Sequence, residues 1–341
     1  MPTTRLRLSV LDQSPANGLE TAHDALQNTI KLAQKAEEWG YHRVWVTEHH
    51  GSNRNMGSAP EVLVSHLLAK TNRIRVGSGG VMLQHYSPYK VAENFNVLAS
   101  LAPGRVDLGI GGGPGGMPKT TRALQMDTGY GSKPLPEKLD ELERFLHNRL
   151  DQDHPLYGLT ANPIPPRPAD LFLLGTTPSS AELAAQRAMP YVFALFLNSD
   201  EAVMREAIDT YRGRFDHGKG AEPQAMLALP VMVADTDEEA QGYASKIKVF
   251  RIQMDSGRTL TVFSREAAEE FLSQSPEKGS ITAHDGNVIH GSPETVRQQL
   301  EDVQRSYQVD EVFVVTAIRD FPKRLHSYEL LAETMIKAHA S

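Results

Sequence analysis

Short apolar runs alternate with amphipathic stretches along the whole chain. Within each run, apolar residues follow one another with little polar interruption, as in strands that are buried on both faces of a parallel sheet. The pattern predicts eight strands, at residues 6–11, 44–46, 74–80, 105–110, 169–174, 191–197, 226–234 and 311–316.

The stretches between these runs have helical periodicity. The clearest begins at Thr21, places Leu26 and Ile30 on one face, and stops at Gly40, a residue type that commonly ends helices. Helices are predicted at 21–39, from Pro60, from Pro88, and at 134–150, 178–188, 200–217, 236–254, 292–307 and 321–339. Strand followed by helix, eight times over, predicts a parallel sheet with right-handed crossovers. The count favours a (β/α)8 TIM barrel over a doubly wound open sheet.

No change of composition divides the chain, so residues 1–341 are predicted to form a single domain with an insertion near the seventh strand. The insertion, residues 255–291, is long, polar and rich in Ser, Gly, Glu and Lys. A long segment that leaves the carboxyl end of a strand is well placed to act as a lid over a site there. A surface excursion without a role is an equally good interpretation.

Composition excludes several classes of function. The formal net charge is −7 and no Lys/Arg cluster stands out, so we expect no nucleic-acid partner. The absence of cysteine excludes disulfides, iron–sulfur clusters, thiolate zinc sites and a cysteine nucleophile. The first residues contain no apolar signal segment, and no apolar run is long enough to span a membrane. A cytoplasmic location without membrane attachment is the default expectation.

A carboxylate and two imidazoles follow the second predicted strand directly, in the order Thr47-Glu48-His49-His50. In parallel α/β folds the chemistry gathers at the carboxyl ends of the strands. His49 is therefore the candidate catalytic residue, with a structural, hydrogen-bonded imidazole as the alternative. We expect no metal site, because the side chains of adjacent histidines diverge on an extended chain.

Glycines follow the third and fourth predicted strands. Glycine weakens a strand, so Gly77-Ser78-Gly79-Gly80 suggests that a flat ring lies against bare backbone or that the backbone is unusual, a cis peptide included. A simple tight turn is the alternative. The run from Gly111 and Gly112 to Gly116 matches neither a Walker loop nor a dinucleotide motif, but its N–H groups could approach a phosphate.

A hydroxyl-rich turn, Gly175-Thr176-Thr177-Pro178-Ser179-Ser180, follows the fifth predicted strand. Thr177 fits the N-cap of a helix and Pro178 its first position. The N–H groups of Ser179 and Ser180 are then expected to be unpaired, so the hydroxyls, these donors and the helix dipole predict a phosphate site. A well-capped helix that binds nothing is the alternative.

Together these segments resemble the bacterial luciferase-like family of flavin-dependent monooxygenases over nearly the whole chain. The resemblance depends on the order and spacing of several motifs: Ala36-Glu37-Glu38-Trp39-Gly40-Tyr41 before Trp45 and Glu48-His49-His50, then Val76-Gly77-Ser78-Gly79-Gly80, Ser87-Pro88 with Ala92-Glu93, Gly104-Arg105-Val106-Asp107-Leu108-Gly109, and Gly175 with Ser179-Ser180-Ala181-Glu182-Leu183-Ala184-Ala185.

The resemblance implies an oxidoreductase with a (β/α)8 barrel, often dimeric, that uses reduced FMN from a separate flavin reductase to oxidise a small organic substrate with O2. By position, His49 matches the family's active-site histidine. The Gly79–Gly80 bond matches a non-prolyl cis peptide against the flavin ring. Thr177 and Ser180 lie in the matching phosphate-binding stretch.

The chain departs from the family pattern at Gly112, where close relatives often carry an arginine in a G-R-x-P-G turn. A fixed cation for the phosphate or the flavin is therefore missing from this turn. The departure leaves two alternatives open beside FMN: an F420-dependent hydride-transfer oxidoreductase, and a barrel protein without turnover that binds flavin or no cofactor at all.

Overall fold

The computed structural model describes residues 5–126 and 133–337. Its strands are β1 (Arg7–Asp12), β2 (Arg43–Val46), β3 (Arg75–Met82), β4 (Val106–Gly111), β5 (Asp170–Gly175), β6 (Tyr191–Ala194), β7 (Ala225–Val233), β8 (Lys248–Met254), β9 (Thr259–Val262), β10 (Gly279–Asp285), β11 (Ile289–Gly291) and β12 (Glu311–Val315). Its α-helices are α1 (Ala22–Trp39), α2 (Pro60–Lys70), α3 (Pro88–Leu101), α4 (Pro118–Gln125), α5 (Leu135–Leu146), α6 (Pro178–Gln186), α7 (Glu201–Gly213), α8 (Asp237–Ala244), α9 (Arg265–Gln274), α10 (Pro293–Tyr307) and α11 (Phe321–Ala332).

Eight parallel strands close into a barrel in the order β1-β2-β3-β4-β5-β6-β7-β12. Val10 of β1 pairs with Val44 on one side and with Val314 on the other, so the first and last barrel strands are neighbours. Pairing of β6 with β7 completes the ring. The predicted (β/α)8 barrel is therefore confirmed. The short β11 lies outside the ring and pairs in parallel with the last residues of β7, Val231 to Val233.

Local signals in the sequence account for most element boundaries. Thr21 and Asp24 form a capping box that starts α1, and Gly40 ends it with a positive φ of 86°. Proline occupies the first turn of α2, α3, α5, α6, α10 and α11, where its missing N–H costs nothing. None of the helices in the described ranges is both long and apolar enough to cross a bilayer.

Three helix predictions were wrong in detail. The helix predicted at 236–254 ends at Ala244, and residues Lys248–Met254 form β8 instead. The helix predicted at 134–150 covers only Leu135–Leu146, and α4 before it was not predicted. The helix predicted at 200–217 ends at Gly213. The last predicted helix, 321–339, is helical over its described residues, as α11 followed by a π-helical turn at Glu333–Lys337, and residues 338 and 339 lie outside the described residues.

Residues 248–285 form an inserted unit between β7 and α10. In it, β8 is the central strand of an antiparallel sheet with β9 and β10, and α9 packs on one face. No strand or helix was predicted for 255–291, but this stretch contains three strands and a helix. Ile252, Met254, Ala268 and Phe271 form a small apolar core of the unit's own.

The main apolar residues lie in two layers, one on each side of the barrel wall. Side chains such as Leu11, Trp45, Phe172 and Phe313 fill the barrel interior, and a larger cluster packs the outside of the strands against the helices. The barrel is therefore a filled core rather than a channel, and room for a ligand is expected at its ends.

A buried ion-pair network closes the amino end of the barrel. Arg43 binds Asp107 (Nη1–Oδ2 2.9 Å) and Glu311 (Nε–Oε1 2.7 Å), while Arg75 bridges Asp107 and Asp170. These five residues belong to five different strands. These charges are paired with one another at the amino end. We therefore look for the functional site at the carboxyl end.

Candidate active site

The singled-out polar segments all lie at the carboxyl ends of four consecutive barrel strands, β2 to β5. We call this face of the barrel the mouth. Trp45 of β2 pairs with Gly77 of β3, Gly109 of β4 is paired with Gly79, and Gly111 of β4 pairs with Leu174 of β5. The topology therefore brings the His49 loop, the glycine pair, the glycine-rich turn and the hydroxyl-rich turn to one edge of the ring.

His49 is held in place from the loop that follows β2. Its backbone N–H donates to Gly57 O (2.7 Å), and its Nδ1 lies 2.9 Å from the Thr47 hydroxyl. Burial lowers the pKa of His49 to about 4, so the imidazole is neutral at pH 7. Its second ring nitrogen, Nε2, has no hydrogen-bond partner in the described part of the chain, and a neutral imidazole with one engaged nitrogen can exchange a proton through the other.

The neighbouring Glu48 and His50 form a separate buried network. His50 Nε2 lies 2.6 Å from Glu48 Oε1, the Tyr86 hydroxyl donates to the same oxygen (2.8 Å), and the Met82 N–H donates to Oε2 (3.0 Å). Burial and Glu48 raise the pKa of Tyr86, which keeps the phenol protonated as a donor. This network ties the His49 loop to the end of β3, so Glu48 and Tyr86 act as positioning residues.

The Gly79–Gly80 peptide bond is cis, as the resemblance implied. Both positions exclude a side chain for a reason within the protein itself. A Cβ on Gly80 would lie 2.7 Å from Gly109 O, and a Cβ on Gly79 would lie 2.5 Å from a methyl group of Leu11. Bare backbone at the end of β3 is thus required by close packing against β4 and the barrel interior.

The glycine-rich turn after β4 is built against the His49 loop. The His50 N–H donates to Gly115 O (2.7 Å), and a Cβ on Gly116 would lie 2.7 Å from His50 O. Gly111 and Gly112 begin the turn, beside Met82 and Leu135 respectively. The turn therefore forms a wall between the ends of β2 and β4.

The hydroxyl-rich turn after β5 caps α6. Thr177 is the N-cap, and its hydroxyl accepts from the Ser180 N–H at 3.3 Å. The prediction that this N–H is unpaired was therefore wrong, because the threonine cap uses it. Ser180 Oγ is also engaged, with Thr177 O (2.7 Å) and the Tyr191 hydroxyl (2.9 Å). Thr177 and Ser179 remain exposed, and among the described residues the Ser179 N–H has no acceptor.

Gln13 is a mouth residue that the sequence did not single out. It follows β1, and strand alternation from Leu11 in the barrel interior directs it toward the inside of the mouth. Its Nε2 is buried and has no partner in the described structure. A buried amide donor without an acceptor is costly, which indicates a ligand or water at this position. The available signal was the polar Asp12-Gln13-Ser14 directly after a buried strand.

The inserted unit reaches across the mouth. Met117, at the end of the glycine-rich turn, packs against the core of the unit, and the Lys119 N–H donates to Gln274 Oε1 (3.2 Å). On the other side, Arg251 of β8 donates to Asn198 Oδ1 (3.4 Å), in the loop after β6. The unit therefore contacts loops that leave β4 and β6, on both sides of the β5 turn.

Comparison with known proteins assigns the family. The family model described as luciferase-like monooxygenase matches residues 6–308. The N-acetyl-S-alkylcysteine monooxygenase of Bacillus subtilis (strain 168) is 41% identical, covering 98% of this chain and 99% of its own. The luciferase-like monooxygenase of Escherichia coli (strain K12) is 32% identical, covering 97% of each chain.

Solved structures agree. The crystal structure of apo-MsnO8 has a TM-score of 0.80 and 34% identity, covering 98% of each chain. Two others share the fold: the oxygenating constituent of 3,6-diketocamphane monooxygenase from Pseudomonas putida in complex with FMN (18% identity, TM-score 0.70, covering 97% and 98%), and an F420-dependent secondary alcohol dehydrogenase (16%, 0.67, covering 97% and 99%). Neighbours of this fold thus bind FMN or F420. The chain belongs to the luciferase-like monooxygenase family of enzymes.

Proposed function

We propose that this protein is a flavin-dependent monooxygenase that takes reduced FMN from a separate reductase and uses O2 to oxidise a small organic substrate. The observation that carries the proposal is His49, a neutral imidazole whose Nε2 has no partner in the described part of the chain. It follows β2, and β2 pairs with β3, the strand that contains Gly79 and Gly80. This arrangement suits chemistry in which a proton must be moved at a flat cofactor away from water.

The residues at the mouth fit a flavin mononucleotide. The ring system would lie over the Gly79–Gly80 backbone of β3, with Gly111 at the end of β4 and Gly112 in the turn after it. The buried Gln13 Nε2 offers a donor without an acceptor, which suits a ring that is rich in carbonyl groups. Thr177 and Ser179, which are exposed at the first turn of α6, are the candidate phosphate ligands. Ser180, whose N–H and hydroxyl are engaged with Thr177, would hold this turn in shape.

The chemistry divides between cofactor and protein. Reduced FMN, when bound, would supply the electrons with which one atom of O2 is reduced to water while the other is inserted into the substrate. His49 exchanges a proton at Nε2 while Thr47 holds its ring from Nδ1. The Glu48–His50–Tyr86 network fixes the loop that carries His49. The inserted unit, the proposed lid, excludes water from the mouth.

The substrate class is suggested by the relative from B. subtilis, which is named for N-acetyl-S-alkylcysteines and is similar over almost the full length. Such compounds carry a thioether, an amide and a carboxylate. We infer that thioethers of N-acylated amino acids are the first class to screen. F420-dependent hydride transfer is the second candidate, supported by Gly112 in place of the family's arginine.

The partners we propose are the flavin reductase and a second copy of the chain. A homodimer is supported by exposed apolar side chains on two adjoining helices, Val62 of α2 and Val97 and Leu101 of α3. Light scattering after size exclusion would give the mass. A monomer at micromolar concentration would contradict the homodimer without affecting the proposed chemistry.

The function is tested by anaerobic fluorescence titration with reduced FMN, followed by O2 uptake with candidate thioethers. Saturable binding of reduced FMN and substrate-dependent O2 consumption are expected. Binding of reduced F420, with hydride transfer and no O2 consumption, would replace the proposal by the F420 alternative. Failure to bind either cofactor would favour a barrel protein without turnover.

A further inference from the structure

The hydroxyl-rich turn after β5 lacks a cation of its own, and Gly112 removes the one that close relatives often supply from the neighbouring turn. We propose that Arg251, from the inserted unit, is the cation that binds the flavin phosphate. The inference rests on the proposed function, because it assumes that the phosphate lies at Thr177–Ser180. It gives the inserted unit a direct role in cofactor binding beyond covering the mouth.

Contacts bring Arg251 to this turn. Its Nη2 donates to Asn198 Oδ1 (3.4 Å), and Asn198 Nδ2 donates to Thr176 O (3.0 Å). Asn198 is fixed by its own backbone N–H, which donates to Ala194 O at the end of β6. Thr176 directly precedes the N-cap Thr177. A single side chain therefore separates the guanidinium from the segment where the phosphate is proposed to bind.

The backbone that carries Arg251 is rigid. Arg251 lies in the middle of β8 and pairs with Thr261 on one side and with Thr282 on the other. Along β8, Phe250, Ile252 and Met254 face the core beneath α9. Strand alternation therefore directs Arg251 to the opposite face of the sheet, toward the loop after β6.

The guanidinium of Arg251 is available for a ligand. It is half-buried and makes no ion pair with any described residue, and its hydrogen bond to Asn198 uses one of five donors at a long distance. Within the described ranges it is also the only cationic side chain that is hydrogen-bonded to Asn198 or to residues 176–180. Lys138 of α5, by contrast, is buried and donates to three carbonyls, those of Leu83, Gln84 and Tyr86.

An arginine suits a phosphate dianion better than hydroxyls alone, because its planar donors can engage two oxygens at once and its charge persists at any pH. Removing such a contact is expected to weaken binding by about 10- to 100-fold. The effect must be confined to ligands that carry the phosphate. This requirement separates the proposal from a general role of Arg251 in folding or in shaping the mouth.

The test compares reduced FMN with reduced riboflavin, which lacks the phosphate, in anaerobic fluorescence titrations. We expect Arg251→Gln to weaken FMN binding by about 10-fold or more and to leave riboflavin binding unchanged. Arg251→Lys should recover part of the FMN affinity. The matched control is Arg258→Gln, which removes the same charge from the exposed turn between β8 and β9 and should alter neither affinity.

Three outcomes would overturn the proposal. An unchanged FMN affinity in Arg251→Gln would remove Arg251 from the phosphate site while leaving the proposed function intact. An equal loss for FMN and riboflavin would assign Arg251 to the ring or to the fold. If the wild-type protein binds neither reduced flavin, the proposed function fails and the inference fails with it.

Discussion

Burial keeps the His49 imidazole neutral, so that it can accept a proton during catalysis. With a pKa of about 4 the imidazole remains neutral throughout the range in which most enzymes work. We expect His49→Ala to lower substrate-dependent O2 consumption by roughly 100-fold, the usual scale of general acid–base catalysis. Because the Thr47 hydroxyl only orients the ring, Thr47→Val should lose less. A rate unchanged in His49→Ala would remove this residue from the mechanism.

The same pKa makes folding stability depend on pH. The folded state resists protonation of His49 below the ordinary pKa of 6.5, so the unfolded chain binds more protons between pH 6.5 and pH 4. Stability therefore falls as pH falls through this window, and His49 alone accounts for about 2 kcal/mol between pH 8 and pH 5.

Urea unfolding of the wild-type protein and His49→Gln at both pH values would measure this contribution. The wild type should lose more stability than the variant, by about 2 kcal/mol. Other histidines whose pKa is lowered by burial, such as His85, contribute equally to both proteins and cancel in the comparison. Parallel losses in the two proteins would show that His49 titrates normally.

At single positions, a functional residue could be predicted where it directly follows a strand. It could not be predicted where its role depends on a contact with a residue far away in the sequence. His49 could be singled out because it follows a buried strand, and the structure places it at the mouth. The prediction of a free N–H at Ser180 was wrong, because the hydroxyl of the N-cap residue Thr177 accepts a hydrogen bond from it. Arg251 could not be found, because its contact Asn198 lies 53 positions away along the chain.

Among the elements, the barrel strands and most helices were predictable, and the inserted unit was not. The strands of a parallel barrel are buried on both faces, so each is a run of apolar residues that can be recognised in the sequence without knowledge of the loops. Residues 248–254 were instead assigned to a helix that began correctly at α8. The period-two signal was present, because Phe250, Ile252 and Met254 alternate with Arg251 and Gln253.

The inserted unit has its own small core, so it should be possible to loosen it separately. Ile252 is fully buried there, and Ile252→Ala is expected to cost about 2–5 kcal/mol within the unit. Hydrogen exchange should then accelerate in β8, β9 and β10 while the barrel strands keep their protection. Phe263→Ala is the control, because Phe263 is 40% exposed at the end of β9. Equal acceleration in the barrel would mean that unit and barrel unfold together.

At the scale of the whole molecule, the two ends of the barrel have different tasks. The mouth carries groups that have no partner among residues 5–126 and 133–337, Gln13 Nε2 and His49 Nε2 among them. The amino end carries charges whose partners are all protein groups, so that Arg43 and Arg75 join strands through Asp107. We therefore expect mutations at the amino end to change stability without changing flavin binding.

Asp107→Asn tests this division. Asp107 is fully buried and accepts from Arg43, Arg75 and the Trp45 indole. Removing its charge leaves buried guanidinium groups undercompensated, which is expected to cost about 3–5 kcal/mol.

The matched control, Asp170→Asn, removes a carboxylate that also binds Arg75 but is 37% exposed, and should cost less than about 1 kcal/mol. Urea unfolding would give both values, and reduced FMN affinity should match the wild type in each folded variant. If Asp107→Asn instead weakened flavin binding at unchanged stability, the amino end would be coupled to the mouth through the barrel interior, where the Trp45 ring packs between Asp107 and the Gly79 backbone.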